Sequence, residues 1–318
     1  MTRWWLLLVF GVVASVSSLP DARAQSPDGD MATWIGDACR APMSPDAWAR
    51  LDQVASKALS DHLRAQKFRD VLRIALAYTE CVDRGTAESD PEQDDARRHY
   101  VRQVLCFVPL VVFESEQKID RALATSCLAH CPQPPLTAPT DAKDIPLWAE
   151  SVRRYATLMS AARTAPELLQ PLVAYSRALD AAGVVSPLER RAQGLTGTDA
   201  PVDEHPDPVL PLRVLVATAA IATGNLGALL DGNGGEDAAC TSSTLAGLGL
   251  SQSIPLPREA ALPLLVKLLL KDATLDAMLR VSNEAQQRFA DRKCVLPTVI
   301  ASLAMTALSA ETVDRAVA

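Results

Sequence analysis

Two cysteines and a histidine fall within about one helical turn of each other, as Cys127, His130 and Cys131. Thiolates and imidazoles are common zinc ligands, and a further cysteine, Cys106, could complete such a site. The spacing differs from the Cys-x-x-Cys of redox pairs and from the Cys-x-x-Cys-His of haem attachment. A metal or thiol site centred on these residues is therefore an alternative hypothesis, and the main prediction is that the cysteines form disulfides.

The choice between those two chemistries depends on the compartment, and the N-terminus predicts export. Arg3 supplies a positive charge, Leu6–Val16 is an apolar stretch, and Ala22 and Ala24 are the small residues before a cleavage site. The apolar stretch is shorter than the roughly 20 residues of a membrane-spanning helix. We expect residues 1–24 to be a signal peptide and the mature protein to be periplasmic or secreted.

All seven cysteines lie in the predicted mature chain. Exported proteins meet an oxidising environment, in which cysteines pair. Because seven is odd, at least one thiol stays free or pairs with another chain. We expect Cys240 to pair with Cys294, the only two cysteines of the second half. Among the five in the first half, Cys39 could pair with Cys81, and Cys106 with Cys127 or Cys131, but five thiols allow fifteen ways of forming two pairs, so the connectivity there stays open.

The Gly-rich segment Asp231–Asp237 has oxygen-bearing side chains at alternate positions, as calcium loops do. It departs from the EF-hand pattern where a ligand, the turn glycine and the bidentate glutamate belong, at Gly235, Glu236 and Ser242 respectively. We interpret the segment as a polar loop between helices.

No catalytic motif is complete in this chain. Ser115 and Lys118 match Ser-x-x-Lys, but the accompanying elements of penicillin-recognising enzymes are absent. The remaining histidines, His62, His99 and His205, stand singly. We predict no catalytic residues and no cofactor; the alternative is an enzyme of unrecognised type with a carboxylate-based site between two helical halves.

Charge narrows the classes of partner. The formal net charge of the chain is −7, and removal of two arginines and one aspartate with residues 1–24 leaves about −8. A chain with this net charge lacks the positively charged surface that nucleic-acid binding needs, and its sequence has no basic cluster that could bind anionic lipid. We expect a protein partner, no nucleic acid, and no stable membrane span after signal cleavage.

The composition predicts helices. Alanine and leucine are abundant, and apolar residues recur at helical spacing without alternating runs. Ser44 and Pro45 are typical of a helix start. In a later helix, Tyr100, Val104, Phe107, Val108 and Val111 are expected to face inward. The predicted class is all-α, with antiparallel helical hairpins stapled by disulfides and arranged as a superhelix or as two packed helical subdomains.

The hairpin from Trp48 to Val82 resembles one tetratricopeptide unit. Trp48 and Leu51 match the start of that pattern, and Phe68 stands where its second helix begins. Asp52 and Val71 occupy positions where that family has glycine and alanine. No second copy is found at a step of about 34 residues, so the resemblance is confined to this hairpin, about a tenth of the chain.

We divide the mature chain into four parts. These are an extended N-terminal segment at 25–45, an N-terminal helical subdomain at 46–132, a Pro-rich linker at 133–143 and a C-terminal helical subdomain at 144–318. Within the last part, Leu212–Leu230 is predicted to be one buried helix, with a membrane span as the rival interpretation.

These observations favour an exported helical binding or scaffold protein. Helical hairpins commonly present grooves to peptides or partner helices. We therefore expect an accessory component of a bacterial envelope structure, without catalytic activity.

Overall fold

The computed structural model describes residues 30–40, 44–84, 91–186, 207–240 and 261–290, together with 294, 296–298, 300 and 301. Within these residues there are helices and no strands, which confirms the all-α prediction. The predicted signal peptide and His205 lie outside the described residues.

The first seven helices cover most of the chain up to residue 181. Their bounds are α1 Met31–Ala38, α2 Pro45–Arg64, α3 Phe68–Asp83, α4 Pro91–Glu116, α5 Arg121–His130, α6 Ile145–Ala162 and α7 Ala165–Ala181.

Five more helices follow in the described part of the C-terminal region. They are α8 Val209–Thr223, α9 Leu226–Asp231, α10 Glu236–Ala239, α11 Ala261–Lys271 and α12 Leu275–Arg288. The described residues at 296–298 and at 300 and 301 are also helical.

The prediction of an extended segment at 25–45 is wrong for Met31–Ala38, which forms α1. The Asp30 carboxylate caps this helix by accepting a hydrogen bond from the Ala32 amide at 3.3 Å, and it also pairs with Arg73 of α3 at 2.5 Å. Ile35 is fully buried against the core. A capped first turn and a buried apolar residue thus stabilise a helix that is too short to show a clear period in the sequence.

The start of α2 agrees with the sequence. The Ser44 hydroxyl accepts a hydrogen bond from the Ala47 amide at 3.3 Å, and Pro45 stands in the first turn. Trp48 and Leu51 are buried, and the Trp48 ring stacks on Tyr78 of α3 with centroids 6.2 Å apart. These contacts form the predicted hairpin of α2 and α3.

The inward face of α4 differs from the prediction. Val104 and Val108 are buried as expected, but Tyr100 and Phe107 are 36% and 37% exposed. Val111 is half-buried, and the other buried apolar residues of this helix include Val101, Leu105, Cys106, Val112 and Phe113. Every residue from 104 to 113 is apolar, so spacing alone could not show which face meets the core.

The apolar run at 212–230 forms two helices instead of the single predicted one. Every residue from Val209 to Ala222 is buried, and α8 then ends at Gly224, whose φ of +72° is accessible to glycine at little cost. Asn225 caps α9 through its contact with the Ala228 amide at 2.9 Å. None of the described helices is long and apolar enough to cross a membrane.

Helix α8 lies at the centre of the C-terminal region. It packs against α6, α7, α9, α11 and α12. The helices on either side of the predicted linker also touch directly, because α6 contacts both α4 and α5. Buried residues from both predicted subdomains, such as Leu105 and Leu215, belong to one hydrophobic cluster.

The linker segment 133–143 contains no helix and is fixed to its neighbours. The Pro134 carbonyl accepts a hydrogen bond from the Tyr175 hydroxyl at 3.0 Å, and the Pro135 carbonyl accepts one from Trp148 Nε1 at 2.9 Å. Two carbonyls that would otherwise be solvated are therefore held by side chains of α7 and α6.

Three disulfides connect the helices. Cys240 bonds Cys294, as predicted, and Cys39 at the end of α1 bonds Cys81 of α3, which is one of the pairings that the sequence left open. Of the two alternatives for Cys106 of α4, the structure contains the bond to Cys131.

Candidate binding surface

The structure does not assemble a metal site from Cys127, His130 and Cys131. The Cys131 sulfur is bonded to Cys106, and the His130 ring lies 3.3 Å from the Asp83 carboxylate through Nδ1. Cys127 is a free thiol with no exposed surface, and burial raises its pKa to about 12, with a smaller effect from the charge of Asp120. A protonated, buried thiol is a poor ligand and a poor nucleophile.

The calcium-like segment also fails to bring its oxygens together. Asp231 pairs with Arg177 at 2.9 Å, and Glu236 pairs with Arg288 at 2.6 Å. Asn233 is fully buried, and its amide donates to the Leu229 carbonyl at 2.7 Å. No group of three potential metal-ligating side chains occurs in the part of the chain that the structure describes.

Two other sequence candidates engage backbone carbonyls of their own helices. The Ser115 hydroxyl donates to the Val112 carbonyl at 3.0 Å, near the end of α4. His62 Nδ1 lies 2.9 Å from the Ala58 carbonyl. Both contacts are typical of polar residues in a helix.

Glu150 of α6 is a half-buried carboxylate near the junction of the two predicted halves. Burial raises its pKa, but hydrogen bonds and charge from Arg153 and Arg154 outweigh burial and hold the pKa below its ordinary value. The three side chains are joined by contacts of 2.6 and 2.7 Å. Such a carboxylate suits an ion pair, whereas a general acid at neutral pH needs a raised pKa.

A different feature, absent from the sequence predictions, is a partly apolar surface on α4, α6 and the linker. Six large apolar residues are exposed in the described part of the chain, and four belong to this region. We call it the α4–α6 surface and define it by Tyr100, Phe107, Leu136, Leu147 and Arg154. The other two exposed residues, Leu275 and Leu279, lie on α12.

Arg154 connects the two helices of this surface. Its guanidinium lies over the Phe107 ring, 5.2 Å from the centroid, while its Nε donates to Glu150 at 2.6 Å. Leu147, Glu150 and Arg154 follow one another at helical spacing, so they share one side of α6. Tyr100 is two turns before Phe107 on α4 and shares its face.

The linker places Leu136 beside the start of α6. The hydrogen bond between the Pro135 carbonyl and Trp148 joins the residues immediately before Leu136 and immediately after Leu147. Leu136 is 50% exposed and Leu147 is 72% exposed. The backbone that carries these two leucines is therefore fixed before any partner arrives, which reduces the ordering cost of binding.

Tyr100 adds a hydrogen-bonding group to the α4–α6 surface. Burial raises the pKa of its hydroxyl above the ordinary value, which already lies well above neutral pH. A tyrosine of this kind offers an apolar ring and an O–H donor together. Tyrosine, phenylalanine and arginine are enriched at the centres of protein interfaces.

An open hollow of about 450 Å³ lies between α1 and α2. Its lining combines the apolar side chains of Trp34 and Leu51 with the charged side chains of Asp46 and Arg50. The volume is within the range of small-ligand sites. Asp46 and Arg50 are exposed, so the lining of this hollow is more polar than the α4–α6 surface.

The α4–α6 surface was not predicted because the sequence placed Phe107 inward and treated 133–143 only as a connection. The available signal was the surplus of apolar residues around α4, which indicates two apolar faces and only one core. No family model matches this chain, and neither a curated protein nor a solved structure is detectably similar to it.

Proposed function

We propose that this protein is an exported, disulfide-bonded helical protein that binds a partner protein through the α4–α6 surface. In this proposal it serves as an accessory or scaffold component of a bacterial envelope structure, without catalytic activity. The observation that carries the proposal is the concentration of exposed Tyr, Phe and Leu side chains around Arg154 on a rigid part of the fold.

The expected partner presents an apolar surface that carries hydrogen-bond acceptors. Leu136, Leu147 and Phe107 offer apolar contact, while the Tyr100 hydroxyl offers a hydrogen-bond donor. Exposed apolar patches on monomers commonly mark interaction sites. The surface is continuous across α4 and α6 through the contact of Arg154 with Phe107.

Export is supported by the N-terminal pattern and by the cysteines. Six of the seven cysteines form disulfides, and the described helices include none that could span a membrane. Both features are compatible with an oxidising compartment outside the cytoplasm.

Site-specific photo-crosslinking in the native cell tests the proposal. A photoreactive amino acid at position 147 should give a discrete adduct with one partner protein. The same amino acid at position 279 is a matched control, because Leu279 is also an exposed leucine on a helix. Equal adducts at both positions, or none at 147, would contradict the proposed surface.

A second measurement addresses the absence of catalysis. Turnover by the purified protein that disappears on substitution of a single polar side chain would overturn the proposal in favour of an enzyme. Carboxylates between the helical halves, beginning with Glu150→Gln, are the first positions to examine.

A further inference from the structure

Two of the three disulfides join cysteines that are consecutive in the sequence, and the third does not. Cys39–Cys81 and Cys240–Cys294 each join two cysteines that are consecutive in sequence. Cys106–Cys131 does not, because Cys127 lies between the two and remains free. In the native pairing, Cys106 therefore bonds Cys131 instead of Cys127, the next cysteine along the chain.

In the unfolded chain, Cys106 has no reason to prefer Cys131 over Cys127. Cys106 and Cys131 are 25 residues apart, and Cys127 is four residues closer. Loop-closure statistics favour the shorter loop by about 1.3-fold. During synthesis and export the N-terminal part of the chain appears first, so Cys127 becomes available to Cys106 before Cys131 does.

The folded helices do distinguish the two cysteines. The Cα atoms of Cys106 and Cys131 are 5.2 Å apart, within the range that a disulfide needs. Cys127 precedes Cys131 by one turn of α5, which is about 6 Å along the helix axis. A Cys106–Cys127 bond would thus displace α5 by a turn along α4 and disturb the packing of Ala124, which is fully buried.

We propose that oxidative folding of this protein passes through a non-native Cys106–Cys127 disulfide, and that the chain is a substrate for a thiol–disulfide isomerase. A disulfide oxidant such as oxidised glutathione forms the first bond and is itself reduced to two thiols. The Cys131 thiolate then attacks the Cys106 sulfur, the Cys106–Cys131 bond forms, and Cys127 leaves as a thiolate that takes up a proton. This exchange leaves the number of disulfides unchanged.

Burial of Cys127 makes the exchange effectively one-way. In the native structure the thiol has no exposed surface, and its raised pKa leaves almost no thiolate to attack the neighbouring disulfide. Packing of α5 against α4 and α6 therefore selects the native pair and keeps it.

Refolding of the purified, fully reduced protein in a glutathione redox buffer tests the proposal. Samples are quenched with acid at successive times, alkylated, and mapped by mass spectrometry. A Cys106–Cys127 species should accumulate early and convert to Cys106–Cys131, and catalytic amounts of protein disulfide isomerase should speed the conversion. Direct formation of Cys106–Cys131, with Cys106–Cys127 absent at every time, would overturn the proposal.

Substitution of Cys127 provides the matched comparison. Cys127→Ala should form Cys106–Cys131 faster than the unsubstituted protein does, and the isomerase should speed this step less than it does in the unsubstituted protein. An unchanged time course in this variant would contradict the inference. Cys127→Ser is a second variant for the same measurement, and the mapping of the unsubstituted protein does not depend on either variant folding.

Discussion

Tyr175 lies in the core with its ring edge against Tyr155, the centroids 5.9 Å apart, and with its hydroxyl bonded to the Pro134 carbonyl. This single donor fixes the first part of the linker to α7. A buried carbonyl that loses its donor costs free energy because it has already given up its contact with water. The hydrogen bond from Tyr175 to Pro134 therefore helps to hold Leu136, two residues later, in its position on the α4–α6 surface.

The substitution Tyr175→Phe is expected to lower the free energy of unfolding by about 1 kcal/mol at neutral pH, through loss of one hydrogen bond. Burial, the largest influence, raises the pKa of Tyr175 to about 12, with opposing smaller effects from Gln133 and Tyr155. The unfolded tyrosine ionises near pH 10, so the unfolded chain loses its proton first as the pH rises. The stabilisation from Tyr175 should then fall between about pH 10 and pH 12.

Phenylalanine has no proton to lose, so the difference between the two proteins should shrink as the pH rises. Urea unfolding at pH 7 and at pH 11 measures this difference. Both proteins should carry Cys127→Ala, which removes the thiol that could exchange with the disulfides at high pH. A difference that stays constant, or grows, over this range would show that the Tyr175 hydroxyl is not protected in the fold.

At the scale of elements, α4 has two apolar faces with different surroundings. Val108 is 3% exposed and packs in the core, whereas Phe107 is adjacent in sequence and lies under the Arg154 guanidinium at the surface. A rotation of one residue around the helix thus separates a position in the core from a position on the proposed binding surface.

The paired substitutions Phe107→Gln and Val108→Gln test this assignment. Gln at 107 should cost about 1 kcal/mol, mainly the contact with Arg154, because its amide can remain in water. Gln at 108 should cost about 3 kcal/mol or more, because it places an amide in a packed apolar site. Urea unfolding measures both; equal costs, or the reverse order, would mean that α4 is rotated from the position described.

The sequence predicts the elements well where a local signal is strong. Ser44 and Pro45 mark the start of α2, and the pairing of Cys240 with Cys294 follows from their being the only cysteines in the second half of the chain. The α1 helix was missed because its stabilising contact, Asp30 with Arg73, joins residues far apart in sequence. The break at Gly224 was missed because apolar residues continue on both sides of it.

The α4–α6 surface could not be predicted for a related physical reason. Exposure of Phe107 is decided by which side of α4 meets α3, α5 and α6, and a helix with apolar residues on most sides fits several such arrangements. The linker composition correctly indicated a segment without helix, but composition does not show that Trp148 and Tyr175 bind its carbonyls.

At the scale of the whole molecule, the described helices share one hydrophobic cluster across the junction at 133–143. Direct packing of α6 on α4 and α5, and of α11 on α4, couples the N-terminal hairpins to the C-terminal helices. The ion pair of Arg121 with Asp272, at 2.6 Å, adds a contact between α5 and the turn before α12. A protein built in this way should unfold as one unit.

Single-tryptophan variants test this expectation. One variant keeps only Trp48, in the N-terminal hairpin, and the other keeps only Trp148, at the start of α6; both tryptophans are buried. Their fluorescence should report the same midpoint of urea unfolding, and far-UV circular dichroism of each variant should give that midpoint too. The circular dichroism measurement controls for any destabilisation by the tryptophan replacements themselves.

Two separated midpoints within one variant would instead show that the halves unfold independently about the junction. That result would also weaken the α4–α6 surface as a binding site, because its residues come from both sides of 133–143 and would no longer be held in a fixed relation. Cooperative unfolding and a preformed surface therefore depend on the same contacts, those of α6 with α4 and α5.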